Sequence, residues 1–436
     1  MRLLFLTTLN LVITIEHVFT KNVWGELCNH FKVREDEIAL ATIFQQENYG
    51  DSKVVEEKYQ DKKYYKLFYS STLTEDEKIT EITRFFQYIS PSIIHSNMVD
   101  AIDVYAAKAC NIPIVLTIHV GGAICPRGGV HGFMNYNDEI CKTSIGSHCL
   151  KCCAQDLPFP AVSHLLYRTM PDKLLSWASN KVAGKQVFYI SQYLSSFRDV
   201  AQRHKKIEIY KYATIIAANS KLKELLALNG LTDNVVLLPH GVQSRPCLPF
   251  PKIDGVVKFF YIGRIQYAKG LHNVLKAFDG IDKSLYELHI IGDSSSSSKG
   301  QRYKADLLRL AKGKNVFFHG EIPNNELESI VKDMHIMIHP AIVLEVYGIT
   351  IAESLSMGRP VIATRCGGAE MQIVDGVNGW LVAPNDIDML RKKILEIIKE
   401  KEQVSAMSNK CHLPHPLPQY TESLLSLYEV LFSNSH

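Results

Sequence analysis

No stretch of this sequence offers the run of about 18 apolar residues that a membrane-crossing helix needs. The N-terminal "MRLLFLTTLNLVITIEHVF" comes nearest, but Glu16 interrupts it and no small-residue cleavage site follows. It therefore reads as a buried first strand, Leu3 to Thr7, followed by a loop and a helix, rather than as a leader peptide. An excess of one charge is missing too. Lys and Arg number 48 against 45 Asp and Glu, for a net charge of +3. Proteins that bind a phosphate backbone usually show a clear basic excess, so nucleic acid is excluded as an expected partner. One local basic run remains, "RHKKIEIYK" from Arg203 to Lys211. It suits either a solvated helix face or contact with an anionic membrane surface or phosphate-bearing acceptor. No repeat is visible beyond an alternation of strand and helix signals. The expected location is the cytoplasm, with the inner face of a membrane as the surface the chain would meet.

What is present is an ordinary globular composition, 46% hydrophobic and 21% charged, over 436 residues. That length suits two domains of roughly 200 residues each. Short β-branched runs recur: Ile112–His119, Gln186–Ser191, Ala213–Asn219 and Val235–Pro239, then Val257–Gly263, Glu287–Gly292, Val316–Gly320, Ile336–Pro340, Pro360–Thr364 and Gly379–Ala383. Continuous apolar runs of this length suit parallel strands covered on both faces, and the helical patterns between them supply the cover. The fold class is α/β, with two doubly wound domains. Pro246, Pro249 and Pro251 break the pattern between His240 and Gly255, because proline continues neither a helix nor a central strand. The expected division is 1–240, a linker 241–256, a second domain 257–412, and a terminal helix 413–436 that crosses back to the first. "SSSSSKG" after Asp293 reads as a flexible polar loop.

Several segments carry chemistry. "FFYIGRIQYAKGL" ends a strand at Gly263 and places Arg264 and Lys269 before a helix. Two cations at a strand-to-helix turn suit a diphosphate, or are simply exposed basic residues. In "HPAIVLEVYGITIAESLSMG" Glu345 falls on a loop, and Glu353 falls on a helix from about Ile349 to Met357 that Gly358 ends. Gly348 allows close backbone approach. The plain alternatives are a solvent-facing Glu345 and a Glu353 paired with an arginine. Asp386 and Asp388 form an Asp-x-Asp pair, which helix N-capping explains.

Taken together, G-R-x4-K-G, H-P, E-x-Y-G-x4-E, G-x-P-V-I-A-T, G-G-x-E and N-G-x-L-V follow in order from Gly263 to Val382. This resembles glycosyltransferase family 4, the retaining nucleotide-sugar-dependent transferases of the GT-B fold. "TIH" at His119, "ANS" at Asn219 and "PHGV" at Pro239 extend the resemblance more thinly into the first half. The resemblance implies two Rossmann-like doubly wound domains facing a central cleft, the N-terminal one on the acceptor side. It implies transfer of a sugar from a nucleoside diphosphate donor to a glycan or lipid-linked glycan in polysaccharide biosynthesis, with no cofactor required for catalysis. Arg264 and Lys269 would bind the diphosphate. Glu345, with the backbone of Tyr347, Gly348 and Ile349, would hold the sugar and its phosphate. Glu353 would meet the ribose, Gly263 would let the donor approach, and His119 would stand near the sugar and acceptor. The chain departs from the family where a Gly-Gly pair is expected after the first strand, because Ile13 and Thr14 stand there. That departure keeps two other readings open: a GT-B nucleotide-sugar epimerase, and a non-catalytic nucleotide-sugar-binding subunit.

Five of the ten cysteines lie between Cys125 and Cys153. Cys125, Cys141, Cys149 and Cys152 include one C-x2-C pair and suit a structural zinc site; the alternative is a set of free, partly buried thiols.

Overall fold

The computed structural model describes residues 1–7, 23–28, 37–46, 52–59, 62–97, 99–119, 124–128, 132–146, 148–154, 200, 203 and 206–434. The expected strand Gln186–Ser191 and the Ile13–Thr14 loop lie outside these residues. The chain divides into two compact units. One holds Met1–Gly132, Lys142–Gly241 and Leu417–His436, and the other holds Phe133–Cys141 and Val242–Pro416.

The first unit is built on β1 (Arg2–Thr7), β2 (Glu37–Gln46), β3 (Lys53–Tyr59), β4 (Lys62–Ser70), β5 (Ile93–Ser96), β6 (Ile114–Thr117), β7 (Thr214–Ala217) and β8 (Val235–Leu237). Their order across the sheet is β3-β4-β2-β1-β5-β6-β7-β8. Only β3 and β4 pair antiparallel, and that hairpin forms one edge. The central strands are short and wholly buried, as parallel strands covered on both faces must be. Four strands between Glu37 and Ser96 were not expected from the sequence. β3 and β4 read "KVVEEKY" and "KKYYKLFYS", whose charges face solvent at the sheet edge, and β5 is only four residues long. The terminal helix Leu417–Asn434 belongs to this unit, with Pro418 in its first turn, where a missing N–H costs nothing. It is anchored through Tyr428, whose hydroxyl lies 2.5 Å from Nδ1 of the fully buried His95. The other ring nitrogen of His95 lies 2.7 Å from Thr117 Oγ1.

The second unit has β9 (Val257–Ile262), β10 (Tyr286–Ile291), β11 (Val316–Gly320), β12 (Ile336–His339), β13 (Val361–Thr364) and β14 (Gly379–Val382). All are parallel, in the order β11-β10-β9-β12-β13-β14. These strands match the six apolar runs of the sequence to within one residue at each end. Ile336, Ile338, Phe259 and Leu288 pack under one helical layer, while Met337, Phe260 and Ile291 pack under the other. That alternation is the pleat with both faces covered. The serine run after Asp293 is more than a loop: Ser297 Oγ accepts from Gly300 N at 3.1 Å and caps a helix that starts at Ser298. Asp386 caps another, accepting from Met389 N at 2.9 Å. Strand order reverses between β9 and β12. In open parallel sheets ligands bind beyond the strand C-termini at such a reversal.

Candidate functional site

Two loops leave the sheet at that reversal. The loop after β9 forms a short 3-10 turn, Tyr267–Lys269, closed by Gly270 in a left-handed conformation. A β-carbon on Gly270 would lie 1.9 Å from the carbonyl oxygen of Pro340, immediately after β12. The two loops are therefore in contact through a backbone that admits no side chain. Gly270→Ala is expected to lower the urea unfolding midpoint by several kcal/mol equivalents. Left-handed backbone alone costs about 1–2 kcal/mol, and the carbonyl must also move. An unchanged midpoint would show that the loops are not held this way.

Lys269 and Glu345 meet across this junction, Nζ to Oε1, at 2.5 Å. The loop bearing Glu345 is itself pinned to the Gly367 turn. Glu345 N donates to Cys366 O at 2.8 Å, and Gly368 N donates to Glu345 O at 3.0 Å. Burial pushes the Glu345 carboxyl up, but Lys269, His339 and Arg264 outweigh it and leave the group below its ordinary 4.5. Arg264 is exposed, so it stands within electrostatic reach of Glu345 while facing water. Tyr261, buried under this turn, donates from its hydroxyl to Arg264 O at 2.8 Å and fixes the backbone there. Three of the expected residues, Arg264, Lys269 and Glu345, are thus brought together.

His339, the last residue of β12, joins them. It is buried, and neither ring nitrogen has a hydrogen-bond partner among the described residues. Burial lowers its pKa to about 4, with Glu345 drawing it up and Lys269 down, so the ring is neutral at pH 7. The H-P dipeptide was visible in the sequence, but nothing in it marked the histidine's place beside the ion pair.

Gly348 opens the helix Ile349–Ser356 with φ 82°, and no side chain caps the helix start. Its first N–H groups therefore remain available to an anion, with the helix dipole favouring negative charge there. Gln372 holds the approach to this helix: its Nε2 donates to Tyr347 O at 2.5 Å and to Gly368 O at 3.1 Å. Gln372 lies outside every motif read in the sequence.

Glu353 sits on the helix and is paired with Arg245, whose Nε and Nη2 reach Glu353 Oε1 at 3.0 and 2.8 Å. Arg245 also bonds Glu328 at 3.3 Å and the side chain of Asn324. The plain alternative for Glu353 is therefore realised at one of its oxygens. Oε2 has no protein partner among the described residues. Arg245 lies in the proline-rich segment, where nothing in the sequence distinguished it from a linker residue.

In the first unit, His119 follows β6. Asn97 donates to Leu6 O at 3.4 Å, which turns its Oδ1 toward His119 Nε2, 2.7 Å away. The proton is thus on Nε2. Burial lowers the His119 pKa to about 4, so this ring too is neutral. His240 lies beside it, ring centroids 5.1 Å apart. Both stand just beyond strand C-termini of their unit, β6 and β8.

The cysteines do not form the expected metal centre. Among the described residues no group of three or more His, Cys, Asp or Glu side chains is placed to hold a metal ion. No such group includes Cys125, Cys141, Cys149 or Cys152. Cys149 and Cys152 lie on one helix, Cys149–Ala154, while Cys141 belongs to the hairpin 133–141 of the second unit. A single C-x2-C on a helix brings two thiols to one face but supplies no second pair to close a tetrahedron.

Comparison with known proteins adds the following. The family model "Glycosyl transferases group 1" matches residues 250–411. A lipopolysaccharide 1,6-galactosyltransferase of Salmonella typhimurium is 30% identical over 195 residues, 42% of this chain and 53% of that protein. A D-inositol 3-phosphate glycosyltransferase of Corynebacterium diphtheriae is 30% identical over 163 residues, 35% of this chain and 38% of that one. The chain spans about half the length of the first curated relatives it matches. Among solved structures, sucrose-phosphate synthase from Thermosynechococcus elongatus superposes with TM-score 0.64 at 14% identity, covering 99% of each chain. Anabaena HepE in complex with UDP and glucose superposes with TM-score 0.63 at 12% identity, covering 98% of this chain and 99% of that one.

Proposed function

We propose, from the match of residues 250–411 to the glycosyl transferases group 1 and from the GT-B fold, that the chain is a retaining glycosyltransferase using a nucleoside diphosphate sugar. The observation that carries this reading is the convergence of Arg264, Lys269 and Glu345 on the loops after β9 and β12, beside an uncapped helix start. One cation-rich turn and one helix N-terminus receive a diphosphate, and a carboxylate between them receives sugar hydroxyls. Glu353 offers Oε2 to the ribose while Arg245 holds Oε1. In the reaction the bond from the anomeric carbon to the diphosphate oxygen breaks and a bond to the acceptor oxygen forms on the same face. The acceptor proton passes to the departing diphosphate, whose charge Arg264 and Lys269 neutralise. His119, neutral and oriented by Asn97, is the first unit's hydrogen-bonding group in this reading, assigned to the acceptor.

For the donor we propose a uridine diphosphate hexose, supported by the UDP in the HepE complex. For the acceptor we propose a lipopolysaccharide or capsular glycan at the cytoplasmic face of a membrane, supported by the activities named for the relatives. Among the described residues no helix is long and apolar enough to cross a membrane. A thermal-shift panel of UDP-, GDP-, ADP- and dTDP-sugars tests the donor. A ligand at a hundred times its Kd stabilises by about 2.7 kcal/mol, so one base should stand out and the others should leave Tm unchanged. No shift with any of them would overturn the reading. Turnover of a stabilising donor without any acceptor, giving an epimeric sugar, would replace transfer by epimerisation.

A further inference from the structure

The hairpin 133–141 comes from the cysteine-rich stretch of the first third of the chain, yet it packs within the second unit. It is a well-defined turn. Met134 bridges Ile140, Cys141 N donates to Phe133 O at 2.7 Å, and Asn135 Oδ1 accepts from Asn137 N and Glu139 N at 2.8 and 3.0 Å. Met134 is buried in a small cluster with Ala268, Ile342 and Val343. Ala268 adjoins Lys269, and Ile342 and Val343 belong to the loop that carries Glu345. The methionine thus packs against both loops that bear the ion pair, beside the bond from Ile342 N to Ala268 O at 2.9 Å that joins them. The hairpin tip is fixed at two further points. Tyr267 OH donates to Asp138 Oδ2 at 2.9 Å, and Asn385 Nδ2 donates to Asp138 O at 2.8 Å. Tyr267 opens the 3-10 turn that ends at Lys269, and its ring stacks on His272 at 4.7 Å and 9°. Asn385 in turn accepts from Asn273 on the helix that follows the turn, at 2.9 Å.

We infer that the hairpin 133–141 is a structural part of the donor site, with Met134 and Asp138 as positioning residues for Lys269 and Glu345. Met134 supports the joined loops by packing against both, and Asp138 holds the Tyr267–Lys269 turn through Tyr267. Without the methionine side chain, Ala268 and Ile342 would face a cavity, and the loops would shift toward it. That shift displaces Lys Nζ relative to the carboxylate. A displacement of about 1 Å in positioning groups costs on the order of 100-fold in rate.

The inference rests on the proposed nucleotide-sugar reading, and the test separates the two. UDP and UDP-glucose binding to the wild-type protein is measured by calorimetry, and transfer is measured as UDP release with a membrane glycan fraction as acceptor. Met134→Ala, Met134→Leu, Asp138→Ala and Asp138→Asn are compared at a temperature well below each variant's Tm. The expected result is a drop of about 10- to 100-fold in kcat/KM for the two alanine variants, carried mainly by KM for the donor. Leucine refills the cavity and asparagine keeps an acceptor for Tyr267, so both should recover most of it. A double-mutant cycle of Tyr267→Phe with Asp138→Ala should be non-additive, since each removes the same hydrogen bond. Wild-type kinetic constants in folded Met134→Ala would overturn the inference. So would a loss fully accounted for by a smaller folded fraction, with donor affinity of the folded protein unchanged. Failure of the wild-type protein to bind UDP, GDP, ADP or their sugars would overturn the donor reading itself.

Discussion

Lys269→Ala is expected to lower sugar transfer by roughly 100- to 1000-fold, the size of effect seen when one group stabilising developing charge is removed. The same substitution should change stability in a pH-dependent way that reports on Glu345. In the intact protein the charges of Lys269, His339 and Arg264 hold the Glu345 carboxyl below its ordinary 4.5 despite burial. A folded value below the unfolded one stabilises the protein above about pH 4.5, and that stabilisation disappears as pH falls through the folded value. Without Lys269 the balance tips to burial, which raises the group. The variant then carries a buried carboxylate without its main partner, costing about 3 kcal/mol at neutral pH. That deficit should shrink on acidification, as Glu345 takes up a proton in the folded state at a higher pH than in the unfolded one. Urea unfolding of both proteins at pH 7.5 and pH 5 measures it. Wild-type turnover in the variant would refute the catalytic role, and a deficit equal at both pH values would refute the electrostatic account.

Much of this site could be read before any coordinates. The parallel strands of the second unit are runs such as "FFYI" and "IMIH", apolar on both faces, and a window of that kind has few other homes in a chain of this size. Lys269, Glu345 and Gly348 stood out because a cation, a carboxylate and a glycine at strand ends break an apolar pattern for a reason. The residues that escaped notice act through tertiary contacts with no local signature. Arg245 looks like any linker arginine until Glu353 and Glu328 are seen beside it. Gln372 acts through carbonyl groups of Tyr347 and Gly368, and no sequence spacing announces that. The Cys125–Cys153 stretch differs from its sequence reading for a related reason. Its cysteines suggested a self-contained metal site, whereas hairpin 133–141 is packed through Met134 and Asp138, two residues without a motif. The edge strands β3 and β4 were missed because solvent-facing charges hide their alternation.

The largest stability effect is expected at Arg359, which lies in the G-R-P-V-I-A-T motif and is wholly buried. Its guanidinium makes no ion pair among the described residues. It donates instead to six carbonyl groups: Val331 and Lys332 at 3.3 and 3.1 Å, Met357 and Gly358 at 3.1 and 3.4 Å, and Leu248 and Pro249 at 3.2 and 2.9 Å. The first pair ends the helix Leu327–Val331 and the second ends Ile349–Ser356. One cation thus adds donors to the terminal carbonyls of two helices at the negative ends of their dipoles, and ties the proline-rich segment to both. Burial lowers its pKa to about 10, so the charge persists at neutral pH. Arg359→Met keeps the volume but takes the donor from the carbonyls of Lys332, Leu248 and Pro249, while Val331, Met357 and Gly358 keep Met334 N, Leu248 N and Ser408 Oγ. Each unmet buried group costs about 1–3 kcal/mol, and allowing for relaxation and entering water the total loss should be on the order of 4–5 kcal/mol. Arg359→Lys keeps a charge and three donors but not the planar fork, so it should fall between the two. Urea unfolding, together with hydrogen exchange of β13, gives the ranking. A methionine variant within about 1 kcal/mol of wild type would mean the carbonyls find water at no cost. Because the same helix begins at Gly348 and carries Glu353, the lysine variant should also bind UDP-sugar less tightly while still folded. The cation under the end of this helix thereby helps fix the start proposed to receive the diphosphate.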